Sequence, residues 1–350
     1  MANNNRTCNK SNPQRRSHGS WQGGNEQNIR GDKSGNLSLL FTRRYFEELT
    51  IPLVERINKE KDNERFKVQQ NSQREYYKVR NNNLIWQAKS FEGPKGMKSK
   101  EENATISQIE LVTTYPGLLI GTGIIHSTGH LGETKLGLMF DHTTGLPYLP
   151  GSSVKGLLRS MFPLRDIEVA RNCESQAKKE TDSVKKDELL RKAKTLKKQA
   201  DEKRSLIAGW LSDENFTREM VDDLERSIFD GVEYKIDEKT GISEPVHISR
   251  RDIFFDAFPT KAGEHGLLGL DYITPHKDEF KNPTPIQFLR IEPGVVFRFE
   301  FRLRDSMKLG EVLYKKSKKE ALFYRILTTI GIGAKTNVGY GQLKPIEEKD

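Results

Sequence analysis

Val295-Val-Phe-Arg-Phe-Glu-Phe-Arg-Leu303 alternates without a break: Phe297, Phe299, Phe301 and Leu303 fall on one side of an extended chain, Arg298, Glu300 and Arg302 on the other. Successive side chains of a strand point to opposite faces, so this pattern predicts a strand with one apolar and one charged face. A chain holding it folds around a sheet. Further strands are predicted around Ile106–Val112, Leu118–Ile125, Leu136–Phe140, Val232–Ile236, Val246–Ile248 and Ile253–Phe255. Lys239-Thr-Gly241 reads as a hairpin turn and Tyr340–Leu343 as a last short strand.

Helical signals are interleaved with these strands. Phe46, Leu49, Val54 and Ile57 recur at helical spacing from Tyr45 to about Lys61, with Pro52 as a start or kink. Pro147-Tyr-Leu-Pro-Gly151 is a turn, followed by a helix over Ser152–Met161 for which Ser152 or Ser153 supplies the N-cap. Residues 165 to about 205 are nearly half charged and lack Gly and Pro. Val169, Cys173 and Ala177, then Leu189, Ala193, Leu196 and Ala200, form a thin stripe, as in an amphipathic helix pair. A further helix covers Glu320–Ile330. Residues 62–103 are polar, with Tyr76, Tyr77, Leu84, Ile85 and Trp86 as their expected buried anchors.

Strand, turn, helix, insertion, strands, helix and final strand, in that order, fit an α+β fold. Its core would be ferredoxin-like (βαββαβ), enlarged by a β-hairpin and helical insertions. The expected organisation is a disordered polar tail over 1–36 and an N-terminal helical segment over 37–103 that packs on the core. The core domain spans 104–346, with the helical insertion at about 165–225. The tail lacks the aliphatic residues needed to offset its ordering entropy. No string of RNP aromatics marks an RRM-type reader.

The 350 residues carry a net charge of +9, which favours a polyanionic partner because cations on phosphates release counterions. The two cysteines, Cys8 and Cys173, have no C-x-x-C spacing and suggest neither a disulfide framework nor a zinc cluster. Met1-Ala-Asn-Asn-Asn-Arg6 has no apolar h-region and no run approaches a membrane span, so a cytoplasmic protein without membrane contact is expected. No cofactor or metal site is expected.

Gly331-Ile-Gly-Ala-Lys-Thr-Asn-Val-Gly-Tyr-Gly341 is the segment best suited to approach a ligand. Glycine leaves backbone N–H groups uncovered and permits positive φ. Consecutive bare N–H groups form an anion-binding concavity, beside which Lys335 places a full charge. The string lacks the G-x-x-x-x-G-K-[ST] of a P-loop, and its alternative reading is a tight connection between strands.

Three segments, 117–130, 145–159 and 331–341, together resemble the RAMP superfamily of CRISPR-associated RNA-binding proteins. The specific likenesses are Thr144-Gly-Leu-Pro-Tyr-Leu-Pro-Gly-Ser-Ser-Val-Lys-Gly-Leu-Leu-Arg159 and the glycine string that closes the chain. Within the superfamily the chain is similar to the sixth-subunit family of the Cmr (type III-B) effector complex. That likeness rests on Asn36-Leu-Ser-Leu-Leu-Phe41 before Arg43-Arg-Tyr-Phe46, on Ile253-Phe-Phe-Asp-Ala-Phe-Pro259, and on the late loop. It covers about residues 36–345, interrupted by the helix pair.

The resemblance implies a non-catalytic subunit that grips guide RNA near its 3′ end, meets target RNA through the guide duplex, and packs against other Cmr-type subunits. Ser152, Ser153, Lys155 and Arg159 at a helix start, with Gly333, Lys335, Thr336, Asn337, Gly339 and Tyr340 in the loop, are then the expected RNA contacts. Each has a structural alternative: Ser152 as a cap, Lys155 as a surface charge, Tyr340 as a plug of the sheet edge.

An enzyme alternative rests on His126, His130 and His142. Related processing nucleases use a histidine to cut RNA, which needs a pKa near working pH and placement against the scissile phosphate. Cleaving backbone subunits use an aspartate in the loop after the first strand. Here 126–135 holds only Glu133, while Asp141 is placed to cap a turn with Thr143 and Thr144. Asp252 and Asp256 read as structural carboxylates rather than a metal pair.

Overall fold

The computed structural model describes residues 36–47, 64–89, 91, 106–121, 132–134, 138–211, 216–237, 242–248, 251–274 and 285–347. The expected tail before Asn36, most of the Tyr45–Lys61 helix, His126, His130 and the turn at 239–241 lie outside these residues.

In chain order the helices are α1 (Leu37–Thr42), α2 (Glu64–Lys89), α3 (Gly151–Ser160), α4 (Leu164–Ala177), α5 (Ser183–Leu211), α6 (Met220–Glu225) and α7 (Lys316–Ile330). The strands are β1 (Ser107–Thr113), β2 (Val232–Ile236), β3 (Ser243–His247), β4 (Ile253–Phe254), β5 (Phe258–Lys261), β6 (Leu268–Ile273), β7 (Ile286–Ile291), β8 (Val296–Arg302), β9 (Ser306–Lys308), β10 (Glu311–Tyr314) and β11 (Leu343–Pro345). The fold is α+β.

The alternating segment is the centre of the main sheet, whose order is β11-β1-β8-β4, with β5 pairing the other half of β8. All of these pairs are antiparallel. Phe297, Phe299 and Phe301 are fully buried, while Arg298 bonds Glu110 across the strands on the opposite face. Helices α3 and α7 cover the apolar face through Val154, Leu158, Leu322, Phe323, Ile326 and Leu327. The Phe301 and Phe323 rings lie 5.3 Å apart. Among the described residues three hairpins, β2–β3, β6–β7 and β9–β10, form separate two-stranded sheets.

The amphipathic pair is present as α4 and α5. Ala170, Cys173 and Ala193 form a satellite cluster between them, with Leu189 and Leu196 packed alongside. Such small residues let the helix backbones approach closely, so the charged faces stay in water. Only the end of α5, through Ile207 and Leu211, joins the main core.

Residues 64–89 form one 26-residue helix, a regularity that the polar sequence hides. Its buried stripe is Tyr77, Asn81, Leu84 and Ala88, at helical spacing but with a polar member. Asn81 accepts from the Tyr45 hydroxyl at 2.7 Å and from Thr134 Oγ1 at 2.9 Å, and donates to the Gly132 carbonyl at 3.1 Å. Trp86, expected inside, is 52% exposed: it falls off this stripe.

Two other expectations are corrected. In the stretch expected as a strand over Leu118–Ile125, the described part forms only a single bridge, Leu118 to Ile291, because Gly117 and Gly121 take positive φ on either side. In the described part of the strand expected over Leu136–Phe140, Phe140 makes a single bridge to Pro147 and no regular strand forms. Nearby, Asp141 does cap its turn, accepting from Thr144 N and Oγ1 at 2.6 and 2.7 Å.

Candidate nucleic-acid interface

The closing glycine loop leaves α7 through Gly331, at φ 73°. It is stitched to the turn after β1: Ala334 N donates to Leu119 O at 2.8 Å and Gly341 N to Gly117 O at 2.7 Å. Glycine is required at 333 by close approach as well as by φ, since a Cβ there would stand 2.3 Å from the Leu119 carbonyl.

Lys335 is the outlier of this loop. It sits in the left-handed region at φ 59°, ψ 32°, followed by a 3-10 turn over Thr336–Val338. For a lysine this conformation costs about 1–2 kcal/mol. Left-handed then right-handed backbone turns successive N–H groups toward a common point, the geometry of an anion nest. Among the described residues, the N–H groups of Lys335, Thr336 and Asn337 meet no acceptor, and Lys335 and Asn337 are exposed.

Tyr340 is in the plug position. Its ring is 9% exposed, packed edge-on against Phe288, and its hydroxyl donates to Asp271 Oδ2 at 2.6 Å. Burial and that carboxylate push its phenol up to about 12. Two aromatics of this region are exposed: Tyr115, at 82%, in the turn whose Pro116 flanks Gly339, and Tyr272, at 61%, beside Asp271.

At the start of α3 the N-cap position belongs to Pro150, and neither serine caps the helix. The reason is packing. Gly151 presses against the Phe254 carbonyl, where a Cβ would stand at 2.3 Å. This brings the next loop close enough for Asp256 Oδ1 to accept from Gly151 N at 2.7 Å. A carboxylate from elsewhere in the chain therefore meets the first N–H of the helix, and Ser152 and Ser153 are left exposed on its first turn.

Lys155 and Arg159 share a face of α3, as their spacing predicts, and both turn toward the segment after α6. Lys155 Nζ donates to the Phe229 carbonyl at 2.6 Å. Its ammonium is held below the ordinary range by burial first, then by Arg251 and Arg159. Arg159 forks onto Asp230 at 2.7 and 3.0 Å and has Glu225 Oε1 3.4 Å from Nε. The guanidinium is thus engaged within the chain.

Ser152 and Lys155 also line a cavity of about 850 Å³ together with Gly151, Arg251, Asp252, Ile253, Phe254, Arg302, Leu303, Arg304 and Lys316. Asp252 is buried and bonds Lys319 Nζ at 2.7 Å, with Lys319 0% exposed. Sequence reading had not singled out Arg302 or Lys316. The usable signals were the charged end of β8 and the basic run before α7.

The cavity and the loop are separate places. The cavity lies where β4 meets Arg302 and where α7 begins, whereas the loop follows the end of α7 and bonds the turn beyond Thr113. With fifteen residues in α7, the two are about 22 Å apart at about 1.5 Å per residue. The fold sets them at opposite ends of one helix.

His142 is exposed in the Asp141–Thr144 turn. Among the described residues no three His, Cys, Asp or Glu side chains gather as a metal site, and no helix is long and apolar enough to cross a membrane.

A profile described as the RAMP superfamily matches residues 110–344, from within β1 into β11 and through both the cavity and the loop. The chain belongs to the RAMP superfamily. One relative of this RAMP chain is the CRISPR system Cmr subunit Cmr6 of Pyrococcus furiosus. The two are 28% identical over 60% of this chain and 61% of the relative, so the chain spans about three fifths of that relative's length. Among solved structures, a chain of the type III-B Cmr-beta complex bound to cognate target RNA is 18% identical with a TM-score of 0.45, covering 89% of this chain and 96% of that one. The crystal structure of Cmr6 from Pyrococcus furiosus is 22% identical with a TM-score of 0.36, covering 71% of this chain and 100% of that one.

Proposed function

We propose that this RAMP chain is a non-catalytic subunit of a type III-B CRISPR effector complex in the cytoplasm. In this reading it grips the guide RNA backbone near the guide's 3′ end, beside other Cmr-type subunits, and meets target RNA through the guide duplex. The similarity to Cmr6 supports the assignment to such a complex. The strand order and the positions of α3 and α7 support a ferredoxin-like core, with α1 and α2 as an N-terminal addition and α4 to α6 as an insertion.

The observation that carries the RNA reading is the nest at Lys335. A lysine held at positive φ, ahead of N–H groups with no acceptor among the described residues, gives both a charge and directed donors to one phosphate. Gly333 and Gly339 hold the loop, and Thr336 and Asn337 supply polar side chains beside the nest. Ser152, Ser153 and Lys155 are assigned a second, distant contact, with Arg159 supporting it through α3. Base stacking is assigned to Tyr115, whose ring is exposed, and not to the buried Tyr340.

Phosphate contact positions a strand without reading its bases. Lys335→Ala is therefore expected to weaken binding of single-stranded RNA about equally across sequences, and to lower the salt slope by about 0.7. Binding measured by anisotropy at several salt concentrations checks this. Losses that differ between RNA sequences, or an unchanged slope, contradict the proposal.

A further inference from the structure

The cavity at the start of α3 assembles cations that are scattered along the sequence. Of the five that line it, Arg304 bonds Glu233 and Lys155 bonds the Phe229 carbonyl. Arg251, Arg302 and Lys316 are exposed and, among the described residues, their side chains form no ion pair or hydrogen bond. The Arg302 guanidinium lies 5.9 Å from the Phe255 ring.

The nearby carboxylates are already engaged. Asp252 is matched by Lys319, Asp256 accepts from Gly151 N, and Asp305 accepts from Lys316 N at 2.7 Å. Two helix starts, of α3 and α7, thus open on a concavity in which Arg251, Arg302 and Lys316 have no direct ion-pair partner among the described residues. Phe254 and half-exposed Ile253 add an apolar wall to it.

We infer that this cavity is a second backbone site for the RNA strand that lies on the 331–341 loop, with Arg251, Arg302 and Lys316 as its phosphate ligands. The inference rests on the reading of the loop as an RNA grip. An acidic protein segment would meet the same charges. One strand is favoured because the cavity and the nest belong to one rigid helix, about 22 Å apart. At about 3.4 Å per nucleotide of a stacked strand, roughly six nucleotides bridge that gap.

Two linked sites turn the second contact into an intramolecular one, so affinity should step up once a strand is long enough to reach both. The test uses the full chain and oligouridylates of about four and about ten nucleotides, titrated at several salt concentrations. For the unsubstituted chain the longer strand is expected to bind about 100-fold more tightly. Its salt slope should be steeper by about 0.7 for each added phosphate contact. R251A/R302A is expected to remove the step and the extra slope, so that the ten- and four-nucleotide strands bind about equally. Lys335→Ala should instead weaken the short strand.

The substituted positions are exposed, so thermal melts should coincide with the unsubstituted chain. R302Q/K316Q provides a second variant should R251A/R302A fold poorly. A length step that survives in either folded variant overturns the inference while leaving the loop reading intact. So does loss of a Cmr-type partner protein with RNA binding unchanged. Absence of RNA binding by the unsubstituted chain at every salt concentration, alone and in the reconstituted complex, overturns the loop reading and this inference with it.

Discussion

Glu225 ends α6 with its side chain fully buried, and its titration should be visible in the stability of the whole protein. One carboxylate oxygen accepts from Leu164 N at 2.8 Å. The other has no hydrogen bond and only Arg159 Nε at 3.4 Å, and Arg159 is already forked onto Asp230. Burial outweighs these contacts and raises the carboxyl from 4.5 to about 7. Between those two values the folded protein holds a proton that the unfolded chain has released. Stability from this group is therefore full below about pH 4.5 and is lost as pH rises through about 7. At about 1.4 kcal/mol per unit of pKa separation, the loss is about 3 kcal/mol.

Glu225→Gln keeps an acceptor for Leu164 N and cannot titrate. At pH 4.5 the variant should match the parent chain, and at pH 8 it should be more stable by about 3 kcal/mol. Urea unfolding of both chains, followed by circular dichroism and Trp fluorescence from pH 4.5 to 8, gives the difference curve. Other carboxylates cancel in that difference. A flat curve, or a variant that loses stability relative to the parent as pH rises, refutes the burial reasoning.

Other expectations follow from the same geometry. Lys319→Met leaves Asp252 buried without its partner and should cost about 3–5 kcal/mol in chemical unfolding, whereas adding Asp252→Asn should recover part of that loss. Tyr115→Ala should leave the melting temperature unchanged and weaken single-stranded RNA binding by about 1–3 kcal/mol in anisotropy titrations. Gly339→Val, at φ 93°, should lower the melting temperature and RNA affinity together. Repeat RNA incubated with the protein in EDTA should remain intact on a denaturing gel; cleavage that vanishes in His126→Ala would replace the non-catalytic reading with a nuclease.

Much of the central architecture was legible because its signals are local. The alternation at 295–303, the thin apolar stripe within the heavily charged 165–205 segment and the glycine spacing at 331–341 each declare an element within one window. α2 was not legible, since Asn81 stands in its buried stripe and finds its partners in Tyr45, Gly132 and Thr134. No window around residue 81 contains them. The cap of α3 failed for the same reason: Asp256 lies 105 residues away in the chain. The two segments expected to contact RNA stand out by glycine spacing and by their likeness to RAMP proteins, but their separation depends on the direction of α7 across the sheet. Arg251, Arg302 and Lys316 gather only after β4, β8 and α7 have found one another.

The Tyr45–Asn81–Thr134 knot bears on how the chain opens. Its hydrogen bonds span 36, 53 and 89 residues, and each shares an atom or a residue with the next. Removing one member strands the buried polar groups of the others, so the junction has little to gain from partial separation. The segment around Tyr45, α2 and residues 132–134 therefore form a cooperative opening unit with respect to the sheet. In native-state hydrogen exchange, the amides of Thr134 and of the buried turn of α2 should share one opening free energy, below that of β8.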